Sequence, residues 1–134
     1  MADNNTFRLI IKTPDREFYD NDATMVELTT SEGEMGVYAD HIPLTAVIMP
    51  CVLSIHEGST VKKAAVMGGI IEILQDKVTV LAEEAEWPEE IDVKRANDAR
   101  VRAERRLAQG DPNINTLRAE MALKRSLARI KAVD

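Results

Sequence analysis

Ile91-Asp92-Val93-Lys94-Arg95-Ala96 separates two kinds of sequence. Upstream, apolar and polar residues alternate, as in Lys77-Val78-Thr79-Val80-Leu81, with glycine and proline between the runs. That period of two belongs to half-buried strands. Downstream, small apolar residues recur every three or four positions among arginines, which is the period of an α-helix. The hexapeptide is therefore the joint between a β body, residues 1–86, and a helical tail, residues 87–134. It also sets Asp92 and Arg95 three residues apart at a helix start, on neighbouring surface positions. Asp92 can cap its own helix and pair with Arg95, or both can face a ligand.

Working towards the N-terminus, Ile70–Leu74 and Lys77–Leu81 flank Gln75-Asp76, and Val52–His56 and Val61–Val66 flank Glu57-Gly58-Ser59. Both patterns predict β-hairpins. Gly68-Gly69 between them predicts a sharp bend or a close backbone approach. Phe7–Ile11, Arg16–Tyr19 and Met25–Thr29 read as further strands, and Gly33 and Gly36 mark a turn or bulge. Short strands with turn signals every eight to twelve residues predict a small antiparallel sandwich.

Working outward in the other direction, Pro88 ends the strand region, and a first helix is expected from about Glu89 to Ala108. Glu89, Glu90 and Asp92 suit its positive end. Gly110 and Pro112 stop it, and Asn113 or Asn115 caps a second helix reaching about Val133. Two helices joined this way make an antiparallel hairpin. On the second helix, Ala119, Leu123, Ser126, Leu127 and Ile130 form one stripe, and Arg118, Arg125 and Arg129 form a separate row. A stripe so rich in alanine buries little area, worth only a few kcal/mol at ~25 cal/mol per Å². Trp87, the only tryptophan, is expected as a lid over the body's core.

The net charge of −6 is unevenly divided, with 6 basic and 15 acidic side chains in residues 1–86 (−9) and 11 and 8 in residues 87–134 (+3). A basic tail beside an acidic body suits docking on acidic protein surface. Aromatic side chains that would stack on bases are nearly absent from the tail, which argues against nucleic acid. The single cysteine, Cys51, makes no disulfide framework and reads as a small buried hydrophobe in a reducing compartment. The polar, acidic start Met1-Ala2-Asp3-Asn4-Asn5 does not read as a signal peptide, and the apolar run Leu44–Ile55 is too short to insert in a bilayer. His41 and His56 have no second ligand at metal-binding spacing, and no phosphate loop or nucleophile–base pair is present. His56 reads as an exposed strand residue, whereas His41, beside Asp40, either holds its loop or meets a partner. The sequence thus points away from catalysis and from a bound metal.

Several segments in fixed order resemble the epsilon subunit family of the F-type ATP synthase. They are Ser31-Glu32-Gly33-Glu34-Met35-Gly36-Val37 with His41-Ile42-Pro43-Leu44, Gly68-Gly69 with Ile71-Glu72-Ile73, and Val78-Thr79-Val80-Leu81-Ala82. The resemblance implies an α+β chain: a ten-stranded antiparallel β-sandwich that binds the gamma subunit and the c-ring, followed by a two-helix regulatory hairpin. It implies rotor contacts at Glu34 and His41, and an inhibitory contact of Lys124, Arg125, Arg129 and Lys131 with acidic beta-subunit surface in the alpha/beta assembly. Such a chain works as a non-catalytic stalk subunit, peripheral to the cytoplasmic face of a bacterial membrane. Some members hold the hairpin down with ATP, with or without magnesium, through Ile/Leu-Asp-x-x-Arg-Ala. Ile91, Asp92, Arg95 and Ala96 match that motif, and Glu86, Arg102, Arg125 and Arg129 fall in register with it. ATP would be a regulatory ligand and not a required cofactor. The rival reading is a free-standing ATP sensor without rotor partners.

Overall fold

The computed structural model describes residues 5–110 and 115–134. Among them are eight strands: β1 (Phe7–Lys12), β2 (Glu17–Ala23), β3 (Met25–Thr30), β4 (Gly33–Tyr38), β5 (Leu44–Glu57), β6 (Thr60–Ile73), β7 (Lys77–Ala82) and β8 (Ala85–Glu86). A 3-10 turn, Pro88–Glu90, leads into α1 (Val93–Gln109) and α2 (Thr116–Ala132). The strands hydrogen-bond in the order β2-β1-β7-β6-β5-β3-β4, with β8 on β6.

The expected count of ten strands becomes eight because segments that read as separate strands run on without a break. β5 and β6 are each 14 residues long and stay in one register from Leu44↔Ile73 to Glu57↔Thr60. The ribbon nevertheless changes face along its length. Ile48 points into the core but so do Cys51, Leu53 and Ile55, and on the partner strand Ala64 and Val66 are followed by Ile71 and Ile73. A change from even to odd positions with no slip in pairing requires the ribbon to turn over at Pro50 and Gly68-Gly69. One half then pairs with β7, and through it β1 and β2, while the other pairs with β3 and β4. Leu9 and Ile11 from one layer share a single core with Val26, Leu28 and Val37 from the other. The sandwich is antiparallel as expected save for one pair, β1 with β7, which is parallel. That pairing joins strands far apart in sequence, so no hairpin turn constrains its direction.

Gly69 sits at the turnover with φ 141°, paired with Ala82. A Cβ there would lie 2.1 Å from the Leu81 carbonyl oxygen, so the close approach of backbone to backbone excludes any side chain.

The turnover also frees Ala65 and Met67 to face outward, where they pack with Ile91 at the joint and with Ala128 and Ala132 of α2. The expected stripe on α2 holds at Ala119 and Ser126 and is corrected at Leu123, Leu127 and Ile130. Leu127 is exposed, and the buried positions are Ala119, Ser126, Ala128 and Ala132. The contact is as alanine-rich as the sequence suggested. α1 starts four residues later than expected, because Pro88–Glu90 forms its own short turn and Asp92, not an earlier acid, is the N-cap. Asp92 accepts a hydrogen bond from the Arg95 backbone N–H at 3.0 Å. Gly110 closes α1 in the left-handed conformation, φ 62°, and Asn115 caps α2 by accepting from the Arg118 N–H at 3.1 Å. Pro112 and Asn113 lie outside the described residues. Trp87 covers the core edge, stacked on Phe18.

Candidate functional site

Body and hairpin enclose a cleft of about 430 Å³ at their joint. Glu84, Glu86 and Glu90 supply the body side, Asp92, Arg95, Ala96, Ala99 and Arg102 come from the first turns of α1 and its cap, and Arg129 comes from α2. The helix period explains the α1 contribution. Arg95, Ala99 and Arg102 are spaced four and three apart and so share one face. Four carboxylates thus meet three guanidiniums in a space of ordinary ligand-pocket size.

The charges are already partly matched. Arg129 Nε donates to Glu86 Oε1 at 2.6 Å, and the same guanidinium lies 3.4 Å from Glu84 Oε1. Glu90 accepts two hydrogen bonds from Arg16, at 2.8 and 2.6 Å, and one from the Trp87 N–H at 2.9 Å. The Arg16 guanidinium first, and the Trp87 N–H second, hold the Glu90 carboxyl down at about 2. The Arg95 and Arg102 guanidiniums have no hydrogen-bond partner among the described residues, so two fork-shaped cations face the cleft available to an anion.

Of the residues singled out from sequence, Glu86, Asp92, Arg95, Ala96, Arg102 and Arg129 come together here. Ile91 does not line the cleft; it is buried behind it against Ala128 and Ala132. Arg125 lies on α2 outside the lining. Lys124 and Lys131 border a separate groove with Glu34, Met49 and Cys51. His41 sits in the loop after β4, its Nδ1 2.8 Å from the Ile42 carbonyl oxygen, away from the cleft. His56 is bound through Nε2 to Glu27 at 2.7 Å, across the sheet and not to the acid that follows it. Sequence reasoning missed Glu84 and Glu90 as parts of this site, and Arg16 as the residue that holds Glu90. Arg16 and Glu90 are 74 residues apart, and no local pattern pairs them.

Two further titratable groups lie in the sandwich core. Burial pushes the Cys51 thiol up, as the sulfur packs against Thr29. Tyr19, desolvated and donating to Glu57, is likewise held protonated. Among the described residues no group of His, Cys, Asp and Glu side chains is arranged to hold a metal ion. No helix among them is long and apolar enough to cross a membrane.

Two family models match in tandem: the ATP synthase delta/epsilon chain β-sandwich domain over residues 6–88, and the long α-helix domain of the same chain over residues 89–134. The chain belongs to the ATP synthase delta/epsilon family. It is similar to the ATP synthase epsilon chain of Halalkalibacterium halodurans, 44% identical over 93% of this chain and 95% of that one. The epsilon chain of Caldanaerobacter subterraneus is also 44% identical, over 94% and 92%. Among solved structures, a chain in the Euglena gracilis mitochondrial ATP synthase assembly of OSCP, F1 and c-ring has the same fold, with a TM-score of 0.83 at 23% identity, covering 96% of this chain and 82% of that one. A chain in the Tetrahymena thermophila mitochondrial central stalk and c-ring matches with a TM-score of 0.57 at 17% identity, covering 95% and 92%. As an epsilon-type chain it is a non-catalytic subunit of ATP synthase.

Proposed function

We propose that this epsilon-type chain is a rotor-stalk subunit whose sandwich couples gamma to the c-ring, whose hairpin inhibits ATP hydrolysis when released, and whose docked form is stabilised by ATP. The observation that carries this reading is the composition of the cleft. Glu84, Glu86 and Glu90 belong to the body and Asp92, Arg95, Arg102 and Arg129 to the hairpin, so a ligand filling it bridges two parts joined otherwise by a small alanine-rich contact and the Arg129 ion pairs. Arg95, Arg102 and Arg129 take the phosphates as bidentate or charge-assisted partners. Asp92 and Glu86 accept hydrogen bonds from ribose or base. Magnesium competes with those arginines for phosphate oxygens or is held by the acids, which a titration with and without it separates.

Release exchanges partners. Arg129, bound to Glu86 and Glu84 in the docked form, joins Lys124, Arg125 and Lys131 in a basic face for acidic beta-subunit surface. The sandwich meets gamma and the c-ring through a surface that includes Glu34 and His41, and the complex keeps the chain peripheral to the cytoplasmic face of the membrane. The membership of a synthase family counts against the free-standing sensor.

The test has two arms. Deleting residues from Gln109 onward should raise ATP hydrolysis by the assembled complex, and unchanged hydrolysis removes the inhibitory role. Isothermal titration of the intact chain with ATP should release heat that Arg95→Ala abolishes; no heat with the wild type, or equal heat with the variant, removes the nucleotide site.

A further inference from the structure

The segment between sandwich and hairpin is held by contacts that the cleft itself does not need. Trp87 stacks on Phe18 with ring centroids 4.2 Å apart and planes 16° from parallel, and Tyr19 meets it edge-on at 6.4 Å. Arg16, immediately before β2, grips both carboxylate oxygens of Glu90 and donates to the Ala85 carbonyl at 3.3 Å. Its charge also lies 4.9 Å from the Phe18 ring centre. Inside this grip the 3-10 turn is closed by the Glu90 N–H on the Trp87 carbonyl and the Ile91 N–H on that of Pro88. Every anchor, Arg16, Phe18, Tyr19 and Ala85, belongs to the sandwich. Past Glu90 the pattern reverses. Asp92 makes its described hydrogen bonds only to Arg95 and Ala96 within α1, and Ile91 packs against α2 as well as β6.

We infer that Arg16 and Trp87 are positioning residues that make residues 85–90 part of the sandwich, so that the hairpin pivots at Ile91-Asp92 and the cleft divides there. This rests on the reading that the hairpin leaves the body. On opening, Glu84, Glu86 and Glu90 stay, while Asp92, Arg95, Arg102 and Arg129 depart together. The pivot therefore sorts charge: an acidic ledge remains beside Trp87, and the arginines travel as a set. A pivot placed before Glu84 would carry acids and arginines away together and leave the site intact on the moving part, with no ligand control over release. Arg16 and Trp87 thereby decide that a ligand in the cleft ties the two parts to each other.

The experiment is hydrogen exchange by mass spectrometry on the full chain, with Trp87 fluorescence read alongside. Ala128→Asp places a charge in the buried face of α2 and should speed exchange across residues 116–132 by at least ~10-fold. Residues 85–91 should exchange as in the wild type, and the Trp87 emission maximum should not move. Adding Arg16→Ala should then speed exchange in 85–91 and shift Trp87 emission to the red. Arg129→Ala, a milder release that touches no buried apolar position, should repeat the first pattern if Ala128→Asp disturbs the sandwich. The inference is overturned if 85–91 opens together with the helices, if Arg16→Ala leaves it protected, or if the helices stay protected in both release variants. Hydrolysis after truncation and heat on ATP titration do not depend on where the pivot lies, so failure here is distinct from failure of the inhibitory or nucleotide reading.

Discussion

Replacing Gly69 by alanine should damage this protein more than any other single added methyl at a described glycine. Two effects act at once. The residue has φ 141°, where an L side chain is strained by ~1–3 kcal/mol. The new Cβ would also stand 2.1 Å from the Leu81 carbonyl oxygen and 2.9 Å from the Ala82 Cα. Both are backbone atoms, so no side chain can rotate aside. Strand β7 must move by roughly an ångström to restore normal van der Waals spacing. Forcing such a shift in a packed core adds ~1–3 kcal/mol. The total, about 2–6 kcal/mol, is a large share of a typical domain's stability. Gly110→Ala provides the control, since Gly110 also has positive φ, 62°, but nothing lies within 4 Å of its added Cβ. It should cost only ~1–2 kcal/mol. Urea denaturation followed by far-UV circular dichroism measures both, with the midpoint shifted and the slope unchanged. If Gly69→Ala loses less than about 1.5 kcal/mol, or no more than Gly110→Ala, the argument from the Leu81 carbonyl is refuted.

Asp92→Ala removes the N-cap of α1 and should lower hairpin stability by ~1 kcal/mol, read as earlier loss of helical signal on heating. Arg102→Ala should weaken ATP binding by about tenfold, the worth of one charge-assisted contact, while leaving the melting temperature unchanged; a change in melting without a change in affinity would contradict the placement of Arg102. Glu90 has a carboxyl held at about 2, below its ordinary 4.5, so its contribution to stability is complete above about pH 4.5 and is lost as pH falls through about 2. Thermal unfolding followed down that range should show this loss in the wild type and much less of it in Arg16→Ala. Cys51, 8% exposed, should resist thiol alkylation until the sandwich unfolds, and rapid labelling of the native chain would show that the β3–β5 seam opens.

The division at the joint was legible in the sequence because it is a change of period, and period is a local property. So were the two β-hairpins, whose turns carry their own chemistry, and the Gly110 and Asn115 caps. The number of strands was not. Leu44–Glu57 and Thr60–Ile73 each contain a Pro or Gly-Gly interruption that reads as an end, whereas in the fold both strands turn over at the same level and keep their ladder. That requires the partner strand to bend too, which one-dimensional pattern cannot register. On α2 the expected burial holds at Ala119 and Ser126 but not at Leu123, Leu127 and Ile130, whose place is taken by Ala128 and Ala132. Alanine and leucine stripes lie close together on a helix, and which one docks depends on the shape of the surface beneath. Here Ala65 and Met67 leave room for Ala128 and Ala132 but leave Leu127 outside. Most of the cleft was visible as a motif with its arginines in register, yet Glu84, Glu90 and the Arg16 that holds Glu90 were not, because their contacts form only after β2, β8 and the 3-10 turn have come together.

The unbroken β5–β6 ribbon has a mechanical consequence. In a sandwich whose layers meet only through side chains, a sideways pull on one layer is resisted by packing, which yields by sliding. Here the two layers share a pair of strands, so the same pull is taken up by covalent backbone and by thirteen paired positions in register. A body built this way transmits shear as a rigid wedge, and local loosening in its core should cost it stability well before it costs it stiffness.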